Sequence, residues 1–377
     1  MLFKRPMVFM MKIVVAIDSL KGSLTSIQAG EAIEKGIKKV DLEAEVVIKP
    51  LADGGEGSMD CILRAKGGSR KTVTVHSPEG KLIEAAYGIL PDGTAVLEIA
   101  ESSGLTKQTG FRALEASTFG FGELIRAALD EGCRKFFLCL GGSATTDCGC
   151  GMAAALGITF FDRDGQSFVP AGGTLSAVSK IECSRLDQRI GEAEFTVMSD
   201  VTNPLYGPLG AAYIYAPQKG ATKEEVAVLD AGLIHVAEVI ERDCQAMLPE
   251  AGAGAAGGAG YGCTAFLRAK TVSGIEGMLE LCQFDALVKD CELVVTGEGC
   301  LDEQSIMGKV LSGIRKHASN REIVSFCGIC KVPAEELCRN CVIAVEIARG
   351  ISIQESMEKG RYYLKLAADT YFKRRMG

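Results

Sequence analysis

Five short segments of the chain set carboxylates among glycines and hydroxyls. DSLKGS carries Asp18, Ser19, Lys21 and Ser23, and PLADGGEG carries Asp53 and Glu56. LGGSATTDCGCGMAAALG carries Ser143, Thr145, Thr146 and Asp147; SDVTNPLYGPLGAAYIYAPQKGA carries Asp200, Asn203 and Lys219; TGEGCLDEQSIMGK carries Glu298, Asp302 and Lys309. Glycine lets the main chain approach a ligand closely and turn N–H groups toward it. Carboxylates beside such backbone can hold a divalent ion or take a proton from an alcohol. Phosphoryl transfer needs those parts together with cations that oppose phosphate charge. Asp200 reads as the base, with Lys21 and Asp302 as further catalytic groups and Lys219 and Lys309 neutralising transferred charge. His76, His235 and His317 all lie outside these segments, so a carboxylate base is favoured over imidazole.

Several familiar solutions to phosphate binding are missing. No G-x-x-x-x-G-K-[ST] occurs, nor the H-R-D and D-F-G pair of protein kinases. AGAGAAGGAGYG contains a G-x-G-x-x-G at Gly252, Gly254 and Gly257, but Ala221 to Met247 before it reads as helix. A dinucleotide fingerprint needs a strand there, so that assignment fails its context. Gly254, Gly257, Gly258 and Gly260, with Gly141 and Gly142, are expected to bring backbone up to phosphate oxygens; a packed Gly-Ala loop is the structural alternative. Asp53 and Asp147 are the expected metal ligands. Cys327-x-x-Cys330 and Cys338-x-x-Cys341 have a zinc format but stand closer together than ribbon spacing allows, which favours strand residues over a metal site.

The elements that position these segments alternate. Met11 to Ile17 reads as a buried strand, Ser26 to Val40 as an amphipathic helix and Glu45 to Lys49 as a second strand. Asp18 and Asp53 therefore fall past the carboxyl ends of successive strands, where open parallel sheets bind ligands. The C-terminal part repeats the pattern: CELVVTGEG, REIVSFCG and CVIAVEI read as strands, Ser305 to Ala318 and Ile353 to Lys373 as helices. Between them, Arg70 to Ala86 and Thr94 to Ile99 read as a meander joined by P-E-G and P-D-G turns, followed by a helix over Phe119 to Gly132 and a strand over Lys135 to Leu140. The expected fold class is α/β with two domains. One is a Rossmann-like parallel-sheet domain built from both chain ends (1–70 with 285–377), the other a large inserted α/β domain (71–284).

Composition limits the rest. The 377 residues exceed one ordinary core, and 47% hydrophobic with 24% charged residues is globular composition. A net charge of -7 without a basic block argues against nucleic acid as a partner. Fifteen cysteines, an odd number in a long chain without a recognisable leader, favour reduced thiols and a cytoplasmic location. MLFKRPMVFMM reads as an extension ahead of the first strand, with Met11 as an alternative start. No apolar stretch approaches the roughly 18 residues of a membrane span.

Six segments in this order, DSLKGSL, PLADGGEG, LGGSATTDCGCGMAAALG, SDVTNPLYGPLGAAYIYAPQKGA, AGAGAAGGAGYG and GEGCLDEQSIMGKV, resemble the bacterial glycerate kinase family. The resemblance implies transfer of the γ-phosphoryl group of ATP to D-glycerate with Mg2+, giving 2-phosphoglycerate, with a homodimer as an assembly to test. It also implies the two-domain Rossmann-like arrangement. Under that reading Asp18, Ser19, Asp53, Ser143, Asn203 and Glu298 contact the substrate. The chain departs from the family pattern at Ile17, at Cys148 and Cys150, and above all at Cys300, where arginine is usual. Cysteine cannot replace a bidentate clamp. A hydroxy-acid dehydrogenase and a non-catalytic metabolite-binding relative are the alternatives; the first lacks its fingerprint after the opening strand, and the second is motivated by Cys300.

Overall fold

The computed structural model describes residues 11–52, 54–110, 112–247, 250–302, 305, 310–318 and 320–376. Asp53, Lys309 and the N-terminal extension lie outside them. The chain divides into two compact units, Met1–Asp53 with Ile275–Gly377, and Gly54–Gly274. These divisions lie upstream of 70/71 and 284/285. Helix Ser58–Lys66 packs on strands Leu82–Ile89 and Ala95–Glu98 and so joins the middle unit, while helix Gly274–Leu281 brings Ile275 against Gly313 in helix Val310–His317.

In the unit formed by the chain ends, five parallel strands lie in the order Val342–Glu346, Glu322–Cys330, Leu293–Leu301, Lys12–Val15, Glu45–Ile48. Counted along the chain within this unit, the order is 2-1-3-4-5. The Rossmann-like expectation thus resolves into the flavodoxin-type variant of a doubly wound sheet, whose switch point lies between the first and third strands. Helix Ser26–Val40 forms as its pattern dictates. Thr25 and Gln28 make a capping box, Ala29, Ile33, Gly36 and Ile37 form the buried stripe, and Lys38 and Lys39 sit at the negative end of the helix dipole. Gly36 lies where a Cβ would come within 2.6 Å of the Ala368 Cβ, so this helix packs backbone-close on Gly360–Met376. The sequence reads a single closing helix; the structure breaks it into Ile353–Glu358 and Gly360–Met376. Gly360 sits at the break, where any side chain would strike the Ser23 hydroxyl.

The middle unit holds a six-stranded sheet in the order Lys270–Val272, Glu194–Met198, Lys135–Cys139, Ala95–Glu98, Leu82–Ile89, Ser69–His76. The last three strands are the expected meander, closed by Ser77 to Lys81 and Leu90 to Thr94 hydrogen bonds around the P-E-G and P-D-G turns. The first four are parallel, which the meander reading did not extend to. Glu98, Cys139 and Met198 are register partners across three adjacent parallel strands, so the segments that follow them leave from one edge. Helix Phe119–Asp130 covers one face through Phe121, Leu124, Ile125 and Ala128, all buried in the main apolar cluster. A small antiparallel sheet, Ser167–Phe168, Thr159–Phe161, Lys180–Glu182, packs with helix Lys223–Cys244 in a second cluster.

The two Gly-rich segments of this unit lie backbone against backbone. A Cβ on Gly257 (φ +69°) would come within 2.0 Å of the Thr145 carbonyl, and one on Gly262 within 2.4 Å of the Cys148 carbonyl. Gly257→Ala should therefore destabilise the protein by more than roughly 3 kcal/mol, combining strain with a forced backbone shift. Gly80→Ala, also at positive φ but with open space around the new methyl, should cost only about 1 kcal/mol. Equilibrium urea unfolding of the two variants checks both values.

Candidate active site

At the switch point of the terminal sheet lies a cavity of about 510 Å³. Asp18, Ser19 and Lys21 reach it from the loop after strand Lys12–Val15; Glu298, Cys300 and Asp302 reach it from Leu293–Leu301 and its end. The sequence reads CELVVTGEG as a strand that ends in a Gly-acid loop ahead of Asp302. In the structure the strand runs through it, and Glu298, Cys300 and Leu301 pair with Cys327, Ile329 and Cys330. A strand holds Glu298 and Cys300 to one register, which a loop would not. The Ser305 hydroxyl donates to Glu298 Oε2 at 2.7 Å and accepts from the Asp302 N–H at 3.1 Å, tying the two acidic residues together. Asp18 Oδ1 accepts from the Ser19 N–H at 2.6 Å. Lys21 is exposed. The sequence did not single out Glu346 and Arg349, which line the same cavity and pair at 3.7 Å. An acid ending an apolar run, CVIAVE, was the available signal.

The remaining predicted residues belong to the middle unit. Its carboxyl edge gathers Gly54 to Gly57, Glu98, Gly141 to Asp147 and Asp200. Gly141 donates its N–H to the Gly54 carbonyl at 3.2 Å, and a Cβ there would collide with Gly55 at 2.4 Å, so this glycine is spent on close packing. Gly142 adopts φ +77° and accepts from Leu105 at 3.1 Å. Lys219 is buried, its ammonium donating to Ser143 Oγ at 3.1 Å and the Thr145 carbonyl at 2.6 Å. Burial lowers its pKa from the ordinary 10.5 to about 7, with Asp147 opposing the shift weakly. Among the described residues, the buried hydroxyls of Thr145 and Thr146 beside it have no hydrogen-bond partner. Native interiors seldom leave such groups unmatched.

Asp147 behaves differently from a metal ligand. Its enclosed carboxylate accepts from Thr118 N (2.7 Å), Thr118 Oγ1 (2.8 Å), Gly149 N (3.2 Å) and Gly151 N (3.2 Å). Desolvation raises its pKa, and the four donors work against that. Three of these donors reach Oδ2 and one reaches Oδ1, from the starts of helices Phe119–Asp130 and Cys150–Ala155, so Asp147 positions the segment. Gly254, Gly257 and Gly258 each pack closely on the side where a Cβ would stand. The Pro204 carbonyl, the Thr145 carbonyl and Leu205 would each sit under 3 Å from a Cβ at these positions, so the Gly-Ala loop is packed. Gly260, with Gly252, does border a cavity of about 660 Å³ that also carries Arg268 and Lys270.

Asp200 Oδ1 accepts from the Ser273 hydroxyl at 2.6 Å and the Gly274 N–H at 3.0 Å. Both ends of the Asn203 amide serve its own loop: Nδ2 donates to the Leu209 carbonyl at 2.9 Å and Oδ1 accepts from Tyr215 at 2.6 Å. Glu98 escaped the sequence reading. Its carboxylate accepts from the Gly57 N–H at 3.2 Å and the Met59 N–H at 2.5 Å, capping helix Ser58–Lys66 at its positive end. Desolvation nevertheless lifts its pKa from 4.5 to about 7. Among the described residues no three or more His, Cys, Asp or Glu side chains gather as a metal cluster, and no helix is long and apolar enough to cross a membrane. The Cys327 and Cys330 thiols point toward the carbonyls of Val345 and Val332, while Cys338 and Cys341 are exposed.

The model of the glycerate kinase family matches residues 13–375. The chain belongs to the glycerate kinase family. It is 41% identical over 366 residues to a glycerate kinase of Halalkalibacterium halodurans, covering 94% of this chain and 96% of that one. It is 42% identical over 308 residues to the glycerate 2-kinase of Escherichia coli K12, covering 81% of each. The crystal structure of a Salmonella typhimurium LT2 protein provisionally named glycerate kinase 2 superposes with a TM-score of 0.85 at 35% identity, covering 97% of this chain and 98% of that one. The chain is thus a kinase, which removes the dehydrogenase alternative.

The two buried titrating groups give opposite pH signatures. Between pH 4.5 and about 7 the folded protein keeps a proton on Glu98 that the unfolded chain has released, so stability falls as pH rises through that window. Glu98→Gln should flatten that limb, worth roughly 3 kcal/mol. Between about 7 and 10.5 the unfolded chain holds a proton on Lys219 that the folded protein lacks, so stability rises with pH there. Lys219→Met should abolish the rise. Urea midpoints measured from pH 4 to 10.5 for the three proteins test both signs.

Proposed function

We propose that the kinase transfers the γ-phosphoryl group of ATP to D-glycerate and releases 2-phosphoglycerate. The observation that carries this reading is the switch-point cavity of the terminal sheet, where Asp18, Glu298 and Asp302 converge with Lys21 and Ser19. A small hydroxy acid needs a cation for its carboxylate and acceptors for its hydroxyls, and this cavity supplies both. The E. coli relative's name, glycerate 2-kinase, favours transfer to the 2-hydroxyl.

Nucleotide phosphates suit the Ser143 to Thr146 segment in the middle unit. Its unmatched threonine hydroxyls and the Lys219 ammonium are a donor set in search of anionic oxygens. A neighbouring phosphate would return Lys219 to its charged state, because an opposite charge raises a lysine pKa as desolvation lowers it. Asp200 remains the proposed base and Asn203 a proposed substrate contact.

Mg2+ fits the hard oxygen donors of Asp18, Glu298 and Asp302 better than the enclosed Asp147. An ion that arrives with its nucleotide needs only one or two carboxylates from the protein, so no preformed cage is required. When bound it would neutralise charge on the transferring phosphoryl group. Asp53 and Lys309 keep their proposed roles, as metal or substrate ligand and as phosphate cation.

An assay with ATP and D-glycerate, coupled through enolase and pyruvate kinase, tests the product. A signal that requires enolase but no phosphoglycerate mutase supports 2-phosphoglycerate; a signal that requires the mutase shows the 3-phospho product instead. Asp200→Asn and Lys219→Met should each lower kcat by 10²-fold or more if they serve as base and phosphate cation. Cys300→Arg should leave kcat within about threefold and lower KM for glycerate, since it adds ground-state binding at the cavity wall.

A further inference from the structure

All fifteen cysteines are free, and Cys183 lies against Cys244. Cys183 follows the short strand Lys180–Glu182, and Cys244 is the last residue of helix Lys223–Cys244. Their sulfurs lie 3.0 Å apart although 61 residues separate them in sequence. Ordinary non-bonded heavy-atom contacts settle at roughly 3.5–4.0 Å. Both residues are partly exposed, so a small reagent can reach them. The other thiols near the middle unit's Gly-rich segments, Cys148, Cys150 and Cys263, are fully buried, and desolvation raises their pKa values and keeps them unreactive.

We propose that Cys183 and Cys244 form a reversible disulfide site, closed by exchange with a low-molecular-weight disulfide. The Cys183 thiolate attacks one sulfur of the small disulfide and expels the other as a thiolate. The Cys244 thiolate then attacks the Cys183 sulfur of the mixed disulfide and expels the second small thiolate. The two protons lost by the cysteines are taken up by the two leaving groups, so one disulfide forms, one is reduced, and two electrons pass to the small molecule.

The order of attack follows from the surroundings. The hydrogen bond from Cys244 favours the thiolate of Cys183 and lowers its pKa, whereas the same contact raises that of Cys244. Asp243 acts on both in the raising direction. Its carboxylate is held by Arg242 and by the Ile181 N–H at 2.8 Å, which fixes the helix end beside the strand and keeps the two sulfurs facing. Cys244 also borders the cavity of about 660 Å³ that Gly252 and Gly260 line. The bond would tie that wall to the small antiparallel sheet.

The test uses the full chain, reduced, desalted, incubated with oxidised glutathione, alkylated and digested without reductant. The expected result is a peptide joining Cys183 to Cys244, absent from Cys183→Ser and Cys244→Ser and returned to two alkylated thiols by dithiothreitol. The linkage should persist in a Cys338→Ser/Cys341→Ser variant, which removes the two exposed thiols. Two outcomes overturn the proposal: Cys183 and Cys244 both alkylated while Cys338 or Cys341 carries glutathione, or glutathione retained on Cys183 with Cys244 alkylated. The wild-type peptide map decides the matter even if a serine variant fails to fold.

Discussion

A carboxylate sealed from water must have each oxygen answered by a donor, and the middle unit is arranged around that requirement at Asp147. Thr118 answers it from the start of one helix, and Gly149 and Gly151 answer it from the start of another. Those three positions cannot move without stranding a buried charge, which would cost several kcal/mol. The segment from Gly141 to Cys150 is thereby held, and it carries Ser143, Thr145 and Thr146 with it. Close backbone packing from Gly257 and Gly262 on its other side completes the enclosure. The threonine hydroxyls that segment carries stand among the few buried polar groups without a partner in the described residues.

Lys219 and Glu98 extend the same logic. Each is buried with partners that stop short of neutralising it: Lys219 meets a hydroxyl and a carbonyl, Glu98 two N–H groups at a helix start. Desolvation brings both toward pKa 7 from opposite sides. Structural ion pairs usually push pKa values away from neutrality; groups left near it are the ones a ligand's charge can switch. In the terminal unit the constraint is of another kind. A parallel sheet of order 2-1-3-4-5 has one place where neighbouring connections diverge, and Asp18, Glu298 and Asp302 are delivered there by strand register.

Local signals were strong wherever the chain's own periodicity or turn chemistry was enough. Helix Ser26–Val40 matches its apolar spacing and Thr25 cap end to end, and the Ser69–His76 and Leu82–Ile89 hairpin follows from its P-E-G turn. The misreadings share one cause. The strand CELVVTGEG reads as ending in a Gly-acid loop because glycine weakens strand propensity, yet pairing with Glu322–Cys330 carries it on to Leu301. The closing helix breaks between Glu358 and Gly360, beside the Met357 carbonyl that accepts from the Ser23 hydroxyl more than 300 residues earlier. Gly254, Gly257 and Gly258 look like a phosphate cradle for the same reason they pack so well: a missing Cβ admits either a ligand or another backbone, and the residue type does not say which.

From the amino-acid sequence alone came the α/β alternation, the acidic Gly-rich segments and, through their order, the glycerate kinase family. Each of these rests on residue type and spacing, which local physics reads directly. Tertiary structure alone decided the strand order, the employment of Asp147 as a positioning group, the perturbed protonation of Glu98 and Lys219, and the meeting of Cys183 with Cys244. All of these depend on what stands beside a side chain across tens or hundreds of residues, and desolvation and packing are set by those neighbours.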